Sequence, residues 1–414
     1  MFFYRSLERV RRIYTEYPRQ FWILILGVFI DRLGGALLFP FLTLYVTRTF
    51  DVGMTRVGVL FGLFSIANMM GNVFGGALTD RLGRKGMLIF GLVFSALSSV
   101  ALGLVGTFEL FLGVVLLVGL LANAGGPAGQ AMLADLLPEE KRAQGFGILR
   151  VVVNLAVTFG PMIGGLLAAR SYLYLFVSDA VTSLITAGVV LVAMRETKPA
   201  AREGEAEQTI MQTFAGYRDI LQDVTFVLFI GACMLMVLVY MQMNTTLAVY
   251  LRDVHGISER RFGYILSLNA AMVVLFQFPI TRRLGNIPPL ILMAAGTLLY
   301  ALGFGMYGVV SSYALFLIAM AVITIGEMMT APTSQSLAAK FAPEDMRGRY
   351  MAAYGFSWVV PTVVGPPLAG LIMDNLDPRW LWYAVGLVGL LAAGAFALLR
   401  RRVERPAGRA RTAE

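Results

Sequence analysis

Twelve apolar stretches, most of them about 17–25 residues long, recur from one end of this chain to the other, and each is long enough to cross a bilayer as a helix. They lie at approximately 21–46, 57–79, 87–106, 110–134, 146–169, 172–194, 224–250, 262–281, 287–308, 312–338, 350–373 and 380–399. The run 284–326 carries no charge and is too long for one helix, so it is divided at Gly308-Val309-Val310-Ser311-Ser312. Charged residues make up only 14% of the 414 residues and the mean hydropathy is +0.73. A soluble domain carries roughly a quarter charged residues, so a large water-soluble core is excluded and lipid is the expected solvent. The first stretch holds Asp31 and Arg32 and lacks a small-residue cleavage pattern, which makes it a span rather than a signal peptide.

The formal net charge of +9 invites a nucleic-acid reading, which its distribution removes. With the N-terminus inside, 25 Lys/Arg fall in cytoplasmic segments, 7 outside and 2 within spans. That asymmetry is the positive-inside signature and predicts both termini in the cytoplasm of a bacterial-type inner (plasma) membrane. Arg5, Arg9, Arg11, Arg12 and Arg19 help to hold the N-terminal end there. One cysteine, Cys233, and one histidine, His255, make a transition-metal site improbable, and no metal site and no cofactor are expected.

The most charged stretch between spans, 195–223, contains Lys198-Pro199 and Glu203-Gly204-Glu205-Ala206-Glu207. It reads as a cytoplasmic linker between an N-terminal six-helix bundle (1–194) and a C-terminal one (224–414) that ends in a basic cytoplasmic tail. Sliding the sequence by 205 residues supports a duplication. Pro127 meets Pro332, Gln130 meets Gln335, Pro138-Glu139 meets Pro343-Glu344 and Arg142 meets Arg347; Gly160-Pro161 meets Gly365-Pro366, Gly165 meets Gly370, Tyr45 meets Tyr250 and Gly58 meets Gly263. An even number of spans per half makes the repeats parallel, related by an axis along the membrane normal.

Between spans two and three stands Gly76-Ala77-Leu78-Thr79-Asp80-Arg81-Leu82-Gly83-Arg84-Lys85. Gly76 permits close helix approach, Gly83 a tight turn, and Asp80 can accept hydrogen bonds from a helix N-terminus or an arginine. Arg81, Arg84 and Lys85 keep the loop inside. Read blandly, this is a basic turn. Its full spacing resembles the G-x-L-x-D-R-x-G-R-K loop signature of the major facilitator superfamily, and span count, duplication and loop placement extend the resemblance over essentially the whole chain. The resemblance implies an all-α membrane protein, twelve transmembrane helices in two pseudo-symmetric six-helix bundles. It also implies a gating loop in which Asp80 latches the two halves, with Arg142 as a partner. The counterpart Thr281-Arg282-Arg283-Leu284-Gly285 lacks the acid and is not given that role. In span five, Gly160-Pro161-Met162-Ile163-Gly164-Gly165 predicts a kinked, closely packed helix. It also looks like the G-P-x-x-G-G element of the drug:proton antiporter branch, which favours export over import. Gly365-Pro366-Pro367-Leu368-Ala369-Gly370 shows that the element can be a structural property of both halves.

Ionisable residues within spans cost about 2.5–3.5 kcal/mol each near the centre, so each is a functional candidate. Asp31 lies roughly 15 Å deep in span one at 1.5 Å per residue; its bland reading is an ion pair with Arg150. Glu327 is similarly deep in span ten, with Thr330 and Ser334 following on its face; that polar stripe suggests a wet cavity, against a bland reading of interhelical hydrogen bonding. Arg150, Asn154 and Thr158 share one face of span five, where Arg150 can snorkel to the surface. Asp179 stands near the outer end of span six, above Thr182 and Thr186, and is as easily structural as functional. Ser65, Asn68 and Asn72, and separately Gln242, Asn269 and Gln277, read as helix packing.

The expected activity is secondary active transport by alternating access: proton-coupled export of small amphiphilic, drug-like compounds, with protons and a small-molecule substrate as partners and the proton gradient as energy source. Asp31 and Glu327 would alternate between protonated and ionised states. Import or facilitated diffusion of a sugar, organic acid or other metabolite is the alternative, and a membrane sensor or scaffold is the alternative of another class. An enzyme is disfavoured, since no nucleotide-binding glycine loop and no Ser/His constellation is found. One chain holds both halves, so a monomer suffices in principle.

Overall fold

The computed structural model describes residues 15–122, 125–197, 221–343 and 346–403. Most of the expected linker and the basic tail therefore lie outside the described residues. Twelve helices among the described residues are long and apolar enough to cross a membrane: Arg19–Phe50, Met54–Asn72, Arg84–Leu104, Phe108–Asp135, Gln144–Ala168, Leu173–Ala193, Val224–Thr245, Glu259–Leu284, Pro289–Tyr307, Tyr313–Phe341, Arg349–Asn375 and Arg379–Val403. They are called spans 1 to 12 below. No strand occurs among the described residues. The chain is a multi-pass membrane protein, as its apolar runs require.

Helices overrun the apolar segments because backbone hydrogen bonding continues into the polar interface. The second helix runs Met54–Leu82 and stops at Gly83, whose φ of 99° only glycine adopts readily. The long uncharged run breaks where expected: one helix ends at Tyr307 and the next starts at Tyr313, capped by the Ser312 side chain. Span 1 is not one smooth helix. Pro40 sits in a 3₁₀ turn, Phe39–Phe41, between Arg19–Leu38 and Leu42–Phe50.

The duplication reappears in the hydrogen bonding. Tyr45 Oη donates to the Leu102 carbonyl (3.1 Å) and Tyr250 Oη to the Tyr307 carbonyl (2.8 Å), the donors and the acceptors each being 205 residues apart. Thr107 caps its helix by accepting from Leu110 N–H, as Ser312 does from Leu315 N–H, both at 3.4 Å. Asp51 (φ 50°) and Gly256 (φ 62°) hold the same left-handed position after equivalent helices.

By contacts the chain divides into two compact units. The first comprises Met1–Tyr45 and Leu63–Arg202, the second Val46–Gly62 and Glu203–Glu414. In the first unit Tyr17, Phe21, Leu24 and Ile25 of the N-terminal end pack on Leu92, Met132, Leu133, Val190 and Met194. Small residues bring its helices together, because in lipid close packing rather than water exclusion holds helices to one another. A Cβ at Gly160 would run into Ala36, and one at Gly164 into Leu37 and Phe41, so span 5 lies directly on span 1. In the second unit Tyr250, Tyr307, Phe316 and Trp382 form one buried aromatic cluster, and Phe226, Phe229 and Tyr350, flanked by half-buried Phe341, another. Val192 and Phe278, at 86% and 75% exposure, belong to the apolar surface that lipid covers.

Candidate functional site

Two carboxylate sites lie within the spans, one in each unit. In the first unit, Asp31 of span 1 accepts a hydrogen bond from Ser183 Oγ of span 6 at 3.1 Å. Asp179, one helical turn before Ser183, is buried and accepts from Ser99 Oγ of span 3. Asp179 also packs against Gly34, three residues on from Asp31, so the two acids share one seam between spans 1 and 6. Local sequence makes the site possible: Gly34 has no side chain, and a Cβ there would strike Thr182 and Asp179, so span 1 settles directly onto span 6. Thr182 Oγ1 bonds the Asp179 carbonyl (2.9 Å), and Thr186 Oγ1 bonds the Gly27 carbonyl (3.1 Å) across the same seam. The site is thus two carboxyls and a set of hydroxyls, oxygen throughout.

In the second unit, Glu327 stands in the middle of the Tyr313–Phe341 helix. Its Oε1 accepts from Tyr240 Oη (3.0 Å) and its Oε2 from Asn269 Nδ2 (2.8 Å). Asn269 Nδ2 also reaches Thr324 Oγ1 at 3.0 Å. Tyr240 lies 5.7 Å from the Tyr300 ring and 6.2 Å, edge-on, from Trp358, so this single acid has an aromatic surround. Tyr300 is buried, while Glu327 and Tyr240 are half-buried and Trp358 is exposed.

None of the three acids forms an ion pair among the described residues. The Asp31–Arg150 pair weighed from sequence is not made; Arg150 and Asn154 are exposed on span 5, and Thr158 Oγ1 bonds the Asn154 carbonyl. The stripe beyond Glu327 is packing rather than cavity. Thr330 donates to Tyr300 Oη (3.1 Å), Ser334 accepts from Tyr354 Oη (2.9 Å), and both are buried. Asn72 is exposed and its amide bonds Asn68 one turn back on the same helix (2.8 Å) rather than a neighbouring span.

In the loop after span 2, Gly83, Arg84 and Lys85 are held inside the first unit. Glu196 accepts from the backbone N–H groups of Arg84 (2.9 Å) and Lys85 (3.1 Å), capping the Arg84–Leu104 helix. Arg84 Nε pairs with Asp135 at 3.2 Å, and Lys85 Nζ donates to the Leu191 carbonyl at 2.8 Å. Arg142 Nε donates to the Ala134 carbonyl (3.1 Å). Gly76, Asp80 and Arg81 lie on the helix, but the surroundings of all three, and with them the expected Asp80 latch, are outside the described residues. Pro161 lies within the Glu139–Ala168 helix, where the Gly165 carbonyl accepts from Ala169 N–H. Gly365 packs against Leu238, and Pro366 is one of three prolines inside the Arg347–Asn375 helix.

Ser99, Ser183, Tyr240 and Asn269 were not singled out for these sites by sequence, or were assigned to packing. Tyr240 and Asn269 carry no local sign of the acid they serve, because their partner lies on another span.

A family model for the Major Facilitator Superfamily matches residues 24–362 and 347–414. The chain belongs to that superfamily. A Na(+), Li(+), K(+)/H(+) antiporter of Planococcus maritimus is 28% identical over 411 residues, covering 93% of this chain and 94% of that protein. Quinolone resistance protein NorA of Staphylococcus aureus is 26% identical over 188 residues, 45% of this chain and 48% of that protein. A crystal structure of a POT family transporter with a thioalcohol conjugated peptide superposes with a TM-score of 0.78 at 16% identity, over 94% of this chain and 97% of that one. The superfamily member described here is accordingly a transporter, and its relatives are transporters rather than enzymes.

Proposed function

We propose that this superfamily member is a proton-coupled antiporter that exports small amphiphilic cations by alternating access, with both termini cytoplasmic in the plasma membrane. One observation carries the reading: among the described residues Asp31, Asp179 and Glu327 are held within spans by hydroxyl, phenol and amide groups, not by ion pairs. A carboxylate locked to an arginine resists protonation, whereas one held by neutral donors can gain or lose a proton and keep its surroundings. Exchange of a proton for a cation at such an acid couples their movements. The aromatic groups beside Glu327 suit an organic cation. The element Gly160-Pro161-Met162-Ile163-Gly164-Gly165 and the partial likeness to NorA support the export direction.

A second reading, exchange of alkali cations for protons, is favoured by the oxygen-rich hydrogen bonding of Asp31 and Asp179, since hard cations take oxygen ligands, and by the likeness to the Na(+), Li(+), K(+)/H(+) antiporter of Planococcus maritimus. Proton flux from preloaded proteoliposomes separates the two. Proton release evoked by a lipophilic cation such as tetraphenylphosphonium, and lost in Asp31→Asn, supports the leading reading. Release evoked by Na⁺, Li⁺ or K⁺ alone supports the second. Solute movement with no counter-movement of protons sinks both.

A further inference from the structure

The helix that begins at Met54 lacks a cap of its own. Its first intrahelical bond, Val57 N–H to the Gly53 carbonyl, makes Gly53 the capping position, and glycine has no side chain to offer. The equivalent position 205 residues on is Ser258, whose hydroxyl accepts from Arg261 N–H. What Gly53 lacks is supplied from 320 residues away. Asp374, at the end of the Arg347–Asn375 helix, accepts from Met54 N–H through Oδ1 and from Thr55 N–H through Oδ2, both at 2.8 Å.

The fit around this contact is close. A Cβ on Gly53 would lie 2.6 Å from Asp374 Oδ2. A Cβ on Gly58 would collide with the Pro366 carbonyl, and one on Gly62 would lie 2.8 Å from the Val363 carbonyl. Pro367 has no N–H to give the Val363 carbonyl, which faces Gly62. Nearby, Arg48 pairs with Glu259 (3.3 Å) and Arg252 Nη1 donates to Thr47 Oγ1 (3.0 Å), around a cavity of about 550 Å³. Arg48 is two-thirds exposed, so that pair contributes little. The bidentate carboxylate on a helix N-terminus is the stronger element.

We propose that Asp374 is a detachable cap, a latch that holds 46–62 against the Arg347–Asn375 helix and that each transport cycle must release. Span parity places it on the face opposite the termini. The idea rests on alternating access, but its first readout does not need transport.

The test uses the full-length protein in nanodiscs, Cys233→Ala, with spin labels at Arg56→Cys and Asn375→Cys. The distance between labels and the thermal midpoint are compared in the parent, in Asp374→Ala and in Gly53→Ser/Asp374→Ala. The double variant restores a local cap, like Ser258, without restoring the link. The expected result is a fall in the short-distance population by about fivefold in Asp374→Ala, still present in the double variant although its thermal midpoint recovers. A distance distribution unmoved in Asp374→Ala, or restored with the midpoint in the double variant, overturns the latch and leaves an ordinary cap. Proteoliposome flux on the same variants separates the two proposals: a shifted distance with unchanged flux overturns the claim that the cycle must release it, and antiport lost in Asp31→Asn stands or falls independently.

Discussion

At an offset of 205 residues Tyr45 and Tyr250 make the same hydrogen bond, and Thr107 and Ser312 the same cap, yet the acids have no counterparts. Met236 stands at the position of Asp31, Ala384 at that of Asp179 and Ala122 at that of Glu327. The difference separates two kinds of constraint. Polar groups in a lipid-facing bundle must find partners inside it, so both copies keep the bonds that supply them. An ionisable group in a span is expensive, and nothing in the shared scaffold requires the other half to repeat it. The first half holds a paired, all-oxygen site; the second holds one acid among aromatic rings.

The largest effect expected from this division is at the acids. Asp31→Asn abolishes proton-coupled flux while the thermal midpoint barely moves, and Glu327→Gln abolishes flux evoked by lipophilic cations. Transplanting the acid within the repeat, Ala122→Glu with Glu327→Ala, restores nothing; recovered flux there would mean the halves are chemically interchangeable. Next in size, Tyr45→Phe and Tyr250→Phe each leave a buried carbonyl without its donor and destabilise by about 1 kcal/mol. Thermal unfolding in detergent should show similar losses, and a large inequality would break the equivalence of the scaffolds.

A smaller and opposite pair lies at the left-handed positions. Asp51→Gly stabilises by about 0.5–1 kcal/mol, and Gly256→Ala destabilises by a similar amount. The smallest effect concerns pH. His255 touches Tyr250 and Phe316, and burial, with Arg379 nearby, lowers its pKa below 6.5. The unfolded chain therefore binds a proton that the folded chain refuses, so stability falls as pH drops below about 6.5. His255→Phe should flatten the slope of the thermal midpoint between pH 7.5 and 5.5 relative to the parent; an unchanged slope removes His255 from the account.

Much of this architecture was legible in the sequence, because apolar length and the absence of charge are local properties. The break near Ser312, the turn at Gly83 and the repeat offset all follow from residues read in place. Asp31, Asp179 and Glu327 stood out for the same reason, as charges in apolar runs. Their partners did not. Ser183 and Ser99 are ordinary polar residues until span 6 is laid between spans 1 and 3, and that neighbourhood is not written in the period of any one helix. The stripe Thr330–Ser334 misled because helical spacing gives a face but not what covers it. Asp374 drew no notice in the sequence, since its partners are backbone groups 320 residues earlier.

That separation has a consequence for biosynthesis. A ribosome delivers Met54 and Thr55 long before Asp374 exists, so a newly inserted second helix starts with its end open to water. The first half of the protein is therefore chemically unfinished until the eleventh helix arrives, and a fragment truncated after the sixth would carry that unfinished end permanently.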